Sequence, residues 1–285
     1  MSIYRRGYQR YLGEIEGRWR RFLVLPRFSW KRMFRQRLVV LLLGAAMGWP
    51  VICAAFIYLG NNADLIRAIP GSQDFIEVND KFFMTFMSVQ KIFAVFLAAL
   101  TGPGLIAPDV ANNALQLYLS RPLTRLDYIL GRLTALIGLL SLITWIPGLT
   151  LFLMQAAMAG NGWGLANLRL GMGMFAGFLL WIFLVALAAL ASSAWIKLRV
   201  IAAGLILGFF FILSGVATMI NGVFRGTWGY LLNPSWAVER IAYALTGMVP
   251  PDGPGPGAAI SAFIVILLII VFILERKLRP VEVVS

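Results

Sequence analysis

Six runs of roughly twenty apolar residues, each long enough for a helix to cross the hydrocarbon layer of a bilayer, recur along this chain between short polar stretches. They cover about residues 38–59, 82–106, 128–159, 168–193, 200–220 and 258–274. The third is longer than a bilayer needs, and Pro147 predicts a kink within it. Ahead of the first run the pattern changes. Tyr4, Tyr8, Tyr11, Leu12, Ile15, Trp19, Phe22 and Leu23 recur at three- and four-residue steps with arginines between them. This predicts an amphipathic helix in the headgroup layer, aromatics inward and arginines on phosphates, interrupted at Pro26. Residues 28–37 repeat the mixture and lead into the first run, so residues 1–37 form a basic elbow ahead of a membrane domain over 38–285.

Between the second and third runs lies a polar insert, APDVANNALQLYLSRPLTRLDYILGR, from Ala107 to Arg132. Pro108 and Asp109 supply a helix start there, with the Asp109 carboxylate capping the first free amides. Val110 to Leu119 then reads as a short helix. Leu115, Leu117, Tyr118 and Leu119 cover more than one face of it, so it needs a partner or a membrane surface, and Asn112, Asn113 and Gln116 offer a polar side. Ser120, Arg121 and Pro122 end it, because Pro122 pushes Arg121 out of helical geometry. From these residues alone two readings stand: a solvated helix at the membrane interface, or a helix gripped by another protein.

Two further segments are polar. Residues 61–81 carry Asp64, Asp74, Glu77 and Asp80 and are too short for a domain. In residues 221–257, Asn233 is placed to cap a helix starting at Pro234 and running through Trp236, Ile241 and Tyr243. The apolar content of that helix predicts that it dips into the membrane against protein. Proline and glycine alternate over 250–257, predicting an irregular connector. Glycines four apart at Gly44 and Gly48, Gly173 and Gly177, and Gly204 and Gly208 allow close helix approach, by generic packing or at a two-fold seam.

Composition agrees with the hydropathy pattern: 60% of residues are hydrophobic and the mean hydropathy is +0.82. Charge then orients the bundle. Of the 25 Lys and Arg, residues 1–37 hold 11, and Arg121, Arg125, Arg132, Lys197, Arg199, Arg276, Lys277 and Arg279 lie on the same side of an alternating six-span topology. The opposite side has Arg67, Lys81, Arg169, Arg225 and Arg240, and Lys91 lies within a span. The positive-inside rule predicts cytoplasmic termini and a cytoplasmic 107–127 insert, in a plasma (inner) membrane protein. A net charge of +13 raises nucleic acid as a partner, but membrane lipids with anionic headgroups account for it. The chain has no His, and Cys53 is its single cysteine, which excludes an internal disulfide and a His/Cys metal cluster. The long basic stretch before the first span does not read as a cleavable signal peptide.

The string LYLSRPLTRLDYILGRL resembles the cytoplasmic loop of ABC-2 type transporter permeases. In that family a coupling helix after the second span ends in a Ser-Arg-Pro turn, followed by a basic-aromatic step and a glycine. Ser120, Arg121, Pro122, Leu123, Arg125, Tyr128 and Gly131 fall on this pattern. LLNPSWAVERIAYALTG, at Leu231 to Gly247, is similar to the segment these permeases carry between their last two spans. The resemblance covers most of the chain in layout and two short stretches in sequence. It implies an all-α membrane fold with six transmembrane helices, both termini inside, and a second copy or a related permease completing the bundle. It also implies separate cytoplasmic ATPase subunits carrying ATP and Mg. The residues it places at the ATPase contact are Asn112, Asn113, Gln116, Leu117, Leu119, Ser120 and Arg121, with Asp109 and Pro122 fixing the helix ends. For the N-terminal elbow, a membrane anchor and an added ATPase contact both remain open.

Within these boundaries the six runs contain no Asp or Glu, which argues against a carrier driven by protons or sodium. No GxxxxGK[ST] phosphate loop is present, so ATP-driven work needs a separate subunit. No nucleophile and base, paired carboxylates or metal ligands stand at catalytic spacing, and the chain does not read as an enzyme. Lys91, with Thr85 and Ser88 one turn apart, makes a polar stripe. Either Lys91 snorkels outward, or the stripe faces a cavity with a substrate or gating role. Three functions follow: an exporter permease, a mechanotransmitter acting on an extracytoplasmic partner protein, or an ATP-independent channel or carrier.

Overall fold

The computed structural model describes residues 18–62, 78–112, 125–196 and 198–278, and no strand occurs among them. The helices are α1 (Arg18–Met33), α2 (Arg37–Gly60), α3 (Asp80–Thr101), α4 (Pro103–Ala111), α5 (Arg125–Ser141) and α6 (Trp145–Ala159). They continue as α7 (Trp163–Ala166), α8 (Leu168–Trp195), α9 (Arg199–Phe224), α10 (Pro234–Thr246) and α11 (Pro256–Leu278), with a 3-10 turn at Trp228–Leu232 before α10. Among the described residues six helical spans are long and apolar enough to cross a membrane: Arg37–Gly60, Asp80–Asp109, Leu126–Ala159, Leu168–Trp195, Arg199–Phe224 and Pro256–Lys277. This is the layout of a multi-pass membrane protein, and the six apolar runs match it to within a few residues at most ends.

Two of the spans are interrupted. The second breaks at Gly102, where Pro103 cannot donate to the ladder, and restarts as α4. The third breaks after Ser141 and resumes at Trp145, with Pro147 in its first turn, so the expected kink is present. Pro26 behaves differently: α1 runs straight through it instead of being interrupted. Packing overrides the proline here. Leu25, Ser29 and Met33, one turn apart, are buried on the α5 side, Leu25 lies over Gly131, and the Trp30 indole lies over Gly138. Trp30 Nε1 also donates to Ala135 O at 2.7 Å. The described part of the elbow is therefore docked on the bundle, while Val24, Phe28 and Phe34 stay exposed.

The bundle is organised around α8, which packs against α3, α4, α5, α6, α9, α10 and α11. Association of apolar helices in lipid gains nothing from the hydrophobic effect and depends on tight van der Waals fit. Trp181, Phe178, Phe86, Phe83 and Phe210 supply that fit, fully buried around α8 and α3. By contrast α2, α9 and α11 are apolar on most of their exposed faces. One end of the bundle gathers α1, the α4 and α5 termini and the α8–α9 junction; we call it the basic end. The far end gathers the end of α2, the starts of α3 and α8, and α10. There Asn61 Nδ2 donates to Gln155 Oε1 at 2.8 Å, tying α2 to α6.

Of the three glycine pairs, only Gly173 and Gly177 form a helix seam. A Cβ on Gly173 would sit 2.7 Å from Thr246 N, and one on Gly177 would sit 2.9 Å from the Ala242 Cβ, so α10 lies directly on α8. Gly44, Gly48 and Gly204 face open space, and Gly208 meets only Ile212 of its own helix.

Candidate coupling site

At the basic end the second and third spans are joined by a buried polar cluster. Asp109 Oδ2 accepts from Arg132 Nη2 at 2.5 Å and from the Tyr128 hydroxyl at 2.7 Å, and the Arg132 guanidinium lies 5.3 Å from the centre of the Tyr128 ring. Arg132 Nη1 donates to Ser29 Oγ at 2.9 Å, and Ser29 in turn donates to Leu25 O. Four side chains thus hold α4, α5 and α1 together. Arginine suits this place because its planar fork reaches two acceptors at once.

Ser193 of α8 binds the start of the restarted helix from outside: Ile106 N and Ala107 N both donate to its Oγ, at 3.2 and 2.9 Å, and the hydroxyl lies 3.3 Å from Pro103 O, to which it donates. The end of the second span is therefore fixed to the central helix as well as to the third span.

These facts correct the reading of Asp109. It does not cap a helix start; α4 has already begun at Pro103 and passes through Pro108, leaving Asp109 near its carboxyl end with its carboxylate spent on Arg132 and Tyr128. The expected helix from Val110 does not begin there either, because Val110 and Ala111 finish α4. Asn112 is exposed, and its Nδ2 turns back onto Pro108 O at 2.9 Å, closing the helix end instead of facing outward. Asn113, Gln116, Leu117, Leu119, Ser120, Arg121 and Pro122 lie outside the described residues.

A second polar site lies deeper in the bundle. Lys91 Nζ on α3 pairs with Glu239 Oε2 on α10 at 2.7 Å and lies 5.6 Å from the Trp181 ring centre. Trp181 Nε1 donates to Lys91 O at 3.1 Å. The Lys91 side chain is 6% exposed, which overturns outward snorkelling. The stripe with Thr85 and Ser88 does not hold as a unit: Thr85 is exposed and donates to Lys81 O, and Ser88 is half-buried. One helix turn from Glu239, the Tyr243 hydroxyl is held above its usual pKa, by burial first and by the Glu239 charge second.

Three further contacts fasten α10. Asn233 caps its start as expected, accepting from Ser235 N at 2.9 Å and Trp236 N at 3.2 Å. Arg169 covers its carboxyl end, donating to Ala244 O and Leu245 O at 3.1 and 3.2 Å, the place where a cation complements the helix dipole. Arg169 is thus a helix clamp. Arg240 grips the connector that follows, through Pro251 O and Gly253 O.

The residues that sequence reasoning missed are Ser29, Tyr128 as a partner of Asp109, Arg132 as its ion pair, Ser193 and Glu239. Only Glu239 left a usable signal: an acid within the apolar helix WAVERIAYAL, in a chain whose one intramembrane cation lacked a partner. Among the described residues no group of His, Cys, Asp and Glu could hold a metal ion. No protein-family model matches the chain, and a search of curated proteins returns no match.

Proposed function

We propose that this chain is the membrane-spanning subunit of an ATP-driven transporter of the ABC-2 type, an exporter worked by separate cytoplasmic ATPase subunits that bind ATP and Mg. Its termini lie in the cytoplasm of a plasma (inner) membrane protein, in keeping with the Lys and Arg distribution, and a second permease copy or a related one completes the bundle. The observation that carries this reading is the Asp109–Arg132 pair. A segment pushed by a motor moves its flanking helices together only if they are joined at its base, and this pair joins the two spans that flank residues 113–124. Ser29 and Ser193 extend the junction to α1 and α8. Closure of the ATPases then tilts the second and third spans as one body.

The test is purification of the full chain from its native membranes in mild detergent. An ATPase with a phosphate loop is expected to accompany it and to be lost when Leu117 and Arg121 are both replaced by Asp. Retention of the ATPase by that double variant would overturn the docking segment. Flux from liposomes containing this chain alone would instead support a channel or carrier.

A second reading, mechanotransmission to an extracytoplasmic partner protein, draws on α10. That helix is tied through Lys91 and Glu239 to the same span that ends at Asp109, so movement at the basic end reaches the far end without a substrate path. Crosslinks from residues 61–81 and 221–257 to a protein rather than to a transported molecule would favour it.

A further inference from the structure

Both α9 and α11 lean on α8 but pack little against each other, and between them lies a cavity of about 790 Å3 floored by Ala188, Ala191 and Ser192. This volume is in the range of small-molecule sites, roughly 300–1,000 Å3. Its walls are hydrocarbon, with Phe209 from α9 and Ile266 and Ile270 from α11. The polar side chains that line it are already satisfied. Ser192 Oγ donates to Ala189 O, Ser261 Oγ to Ala258 O, and Trp195 Nε1 to Ile273 O. An occupant therefore needs no hydrogen-bonding groups inside the cavity.

Shape narrows the choice. Along α11 the lining extends from Ser261 to Ile273, roughly 18 Å at a helical rise of 1.5 Å per residue. A single alkyl chain fits a long slot of this kind. Charge narrows it further. Arg276 and Lys277 stand three and four residues beyond Ile273 and so share its face of α11, whereas Glu275, two residues beyond, points to another. Lys277 Nζ lies 5.1 Å from the ring centre of Trp195, which forms that end of the cavity.

We propose that this cavity is a lipid site taking one acyl chain of an anionic phospholipid of the bilayer, with its phosphate held at the basic end by Lys277 and Arg276. The site does not depend on the transporter reading.

The test uses the full chain in phosphatidylcholine vesicles doped with phosphatidylglycerol carrying a photoreactive diazirine on its acyl chain, with adducts mapped by mass spectrometry. Labelling is expected on Phe209, Ile266 and Ile270 in excess over Ile212, Leu268 and Phe272, which face outward on the same helices. Replacing Arg276 and Lys277 together by Gln is expected to cut the cavity labelling about tenfold and leave the outward labelling unchanged. Ala262→Phe, which fills the cavity, should do the same without the charge change. If that variant fails to fold, the Gln pair, at exposed positions, still decides the question. Equal labelling of cavity and outward residues would overturn the proposal. So would equal cavity labelling by a phosphatidylcholine probe, or by the Gln pair.

Discussion

Lys91 and Glu239 are 148 residues apart in sequence and 2.7 Å apart in the fold, and the two ends of this pair are unequally buried, at 6% and 36% side-chain exposure. The inequality predicts unequal costs. Glu239→Gln strands a buried cation and is expected to destabilise the protein by about 3 kcal/mol. Lys91→Met leaves a carboxylate that is already 36% exposed, and about 1 kcal/mol is expected after allowing for that exposure. The double variant should recover most of the loss. Thermal unfolding in detergent measures all three, and equal effects of the two single variants would contradict this account.

Asp109→Asn removes the charge that balances Arg132, a residue 7% exposed, with an expected loss of about 3 kcal/mol. Arg132→Lys should also fail, because one ammonium cannot replace the fork that reaches both Asp109 and Ser29. Limited proteolysis gives a local readout. Cleavage within residues 113–124 is expected to speed up in both variants, before any global unfolding.

Ser192 and Ser193 are neighbours with opposite expected behaviour. Ser193→Ala removes the hydroxyl that bonds Ile106 N, Ala107 N and Pro103 O on a neighbouring helix and should cost about 1–3 kcal/mol. Ser192→Ala removes only a bond to the carbonyl of Ala189 on its own helix and should stay within about 0.5 kcal/mol. Amide hydrogen exchange at Ile106 and Ala107 should rise in the first variant alone.

Glycines predicted alike from spacing should separate on substitution. Gly173→Ala and Gly177→Ala drive a methyl into α10 and are expected to cost about 1–3 kcal/mol each, releasing that helix. Gly44→Ala and Gly48→Ala meet nothing within 4 Å and should stabilise α2 by up to about 1 kcal/mol each. Melting temperatures of the four variants check the contrast. Destabilisation at Gly44 and Gly48 would instead place a second chain against α2.

Much of the candidate site was illegible in sequence because its meaning depended on partners. Asp109 after Pro108 has the local features of a helix cap, and nothing nearby reveals that the helix started six residues earlier at Pro103. The cap at Asn233 was legible for the opposite reason: it needs only the amides two and three residues onward. Pro147 kinked its span, whereas Pro26 did not interrupt α1, because burial of Leu25, Ser29 and Met33 along α5 outweighed one missing donor.

Hydropathy alone was enough to set the six membrane-length helices, since whether a stretch of about twenty residues prefers hydrocarbon is a sum over that stretch. Which polar groups meet inside the bundle was decided only by tertiary packing. Lys91 has an acid to face because the Gly173–Gly177 seam lets α10 lie against α8, and Asp109 meets Arg132 because two spans return to the same end. A buried charge takes the partner that geometry brings within about 3 Å, and that proximity is a property of the assembled helices and not of any one segment.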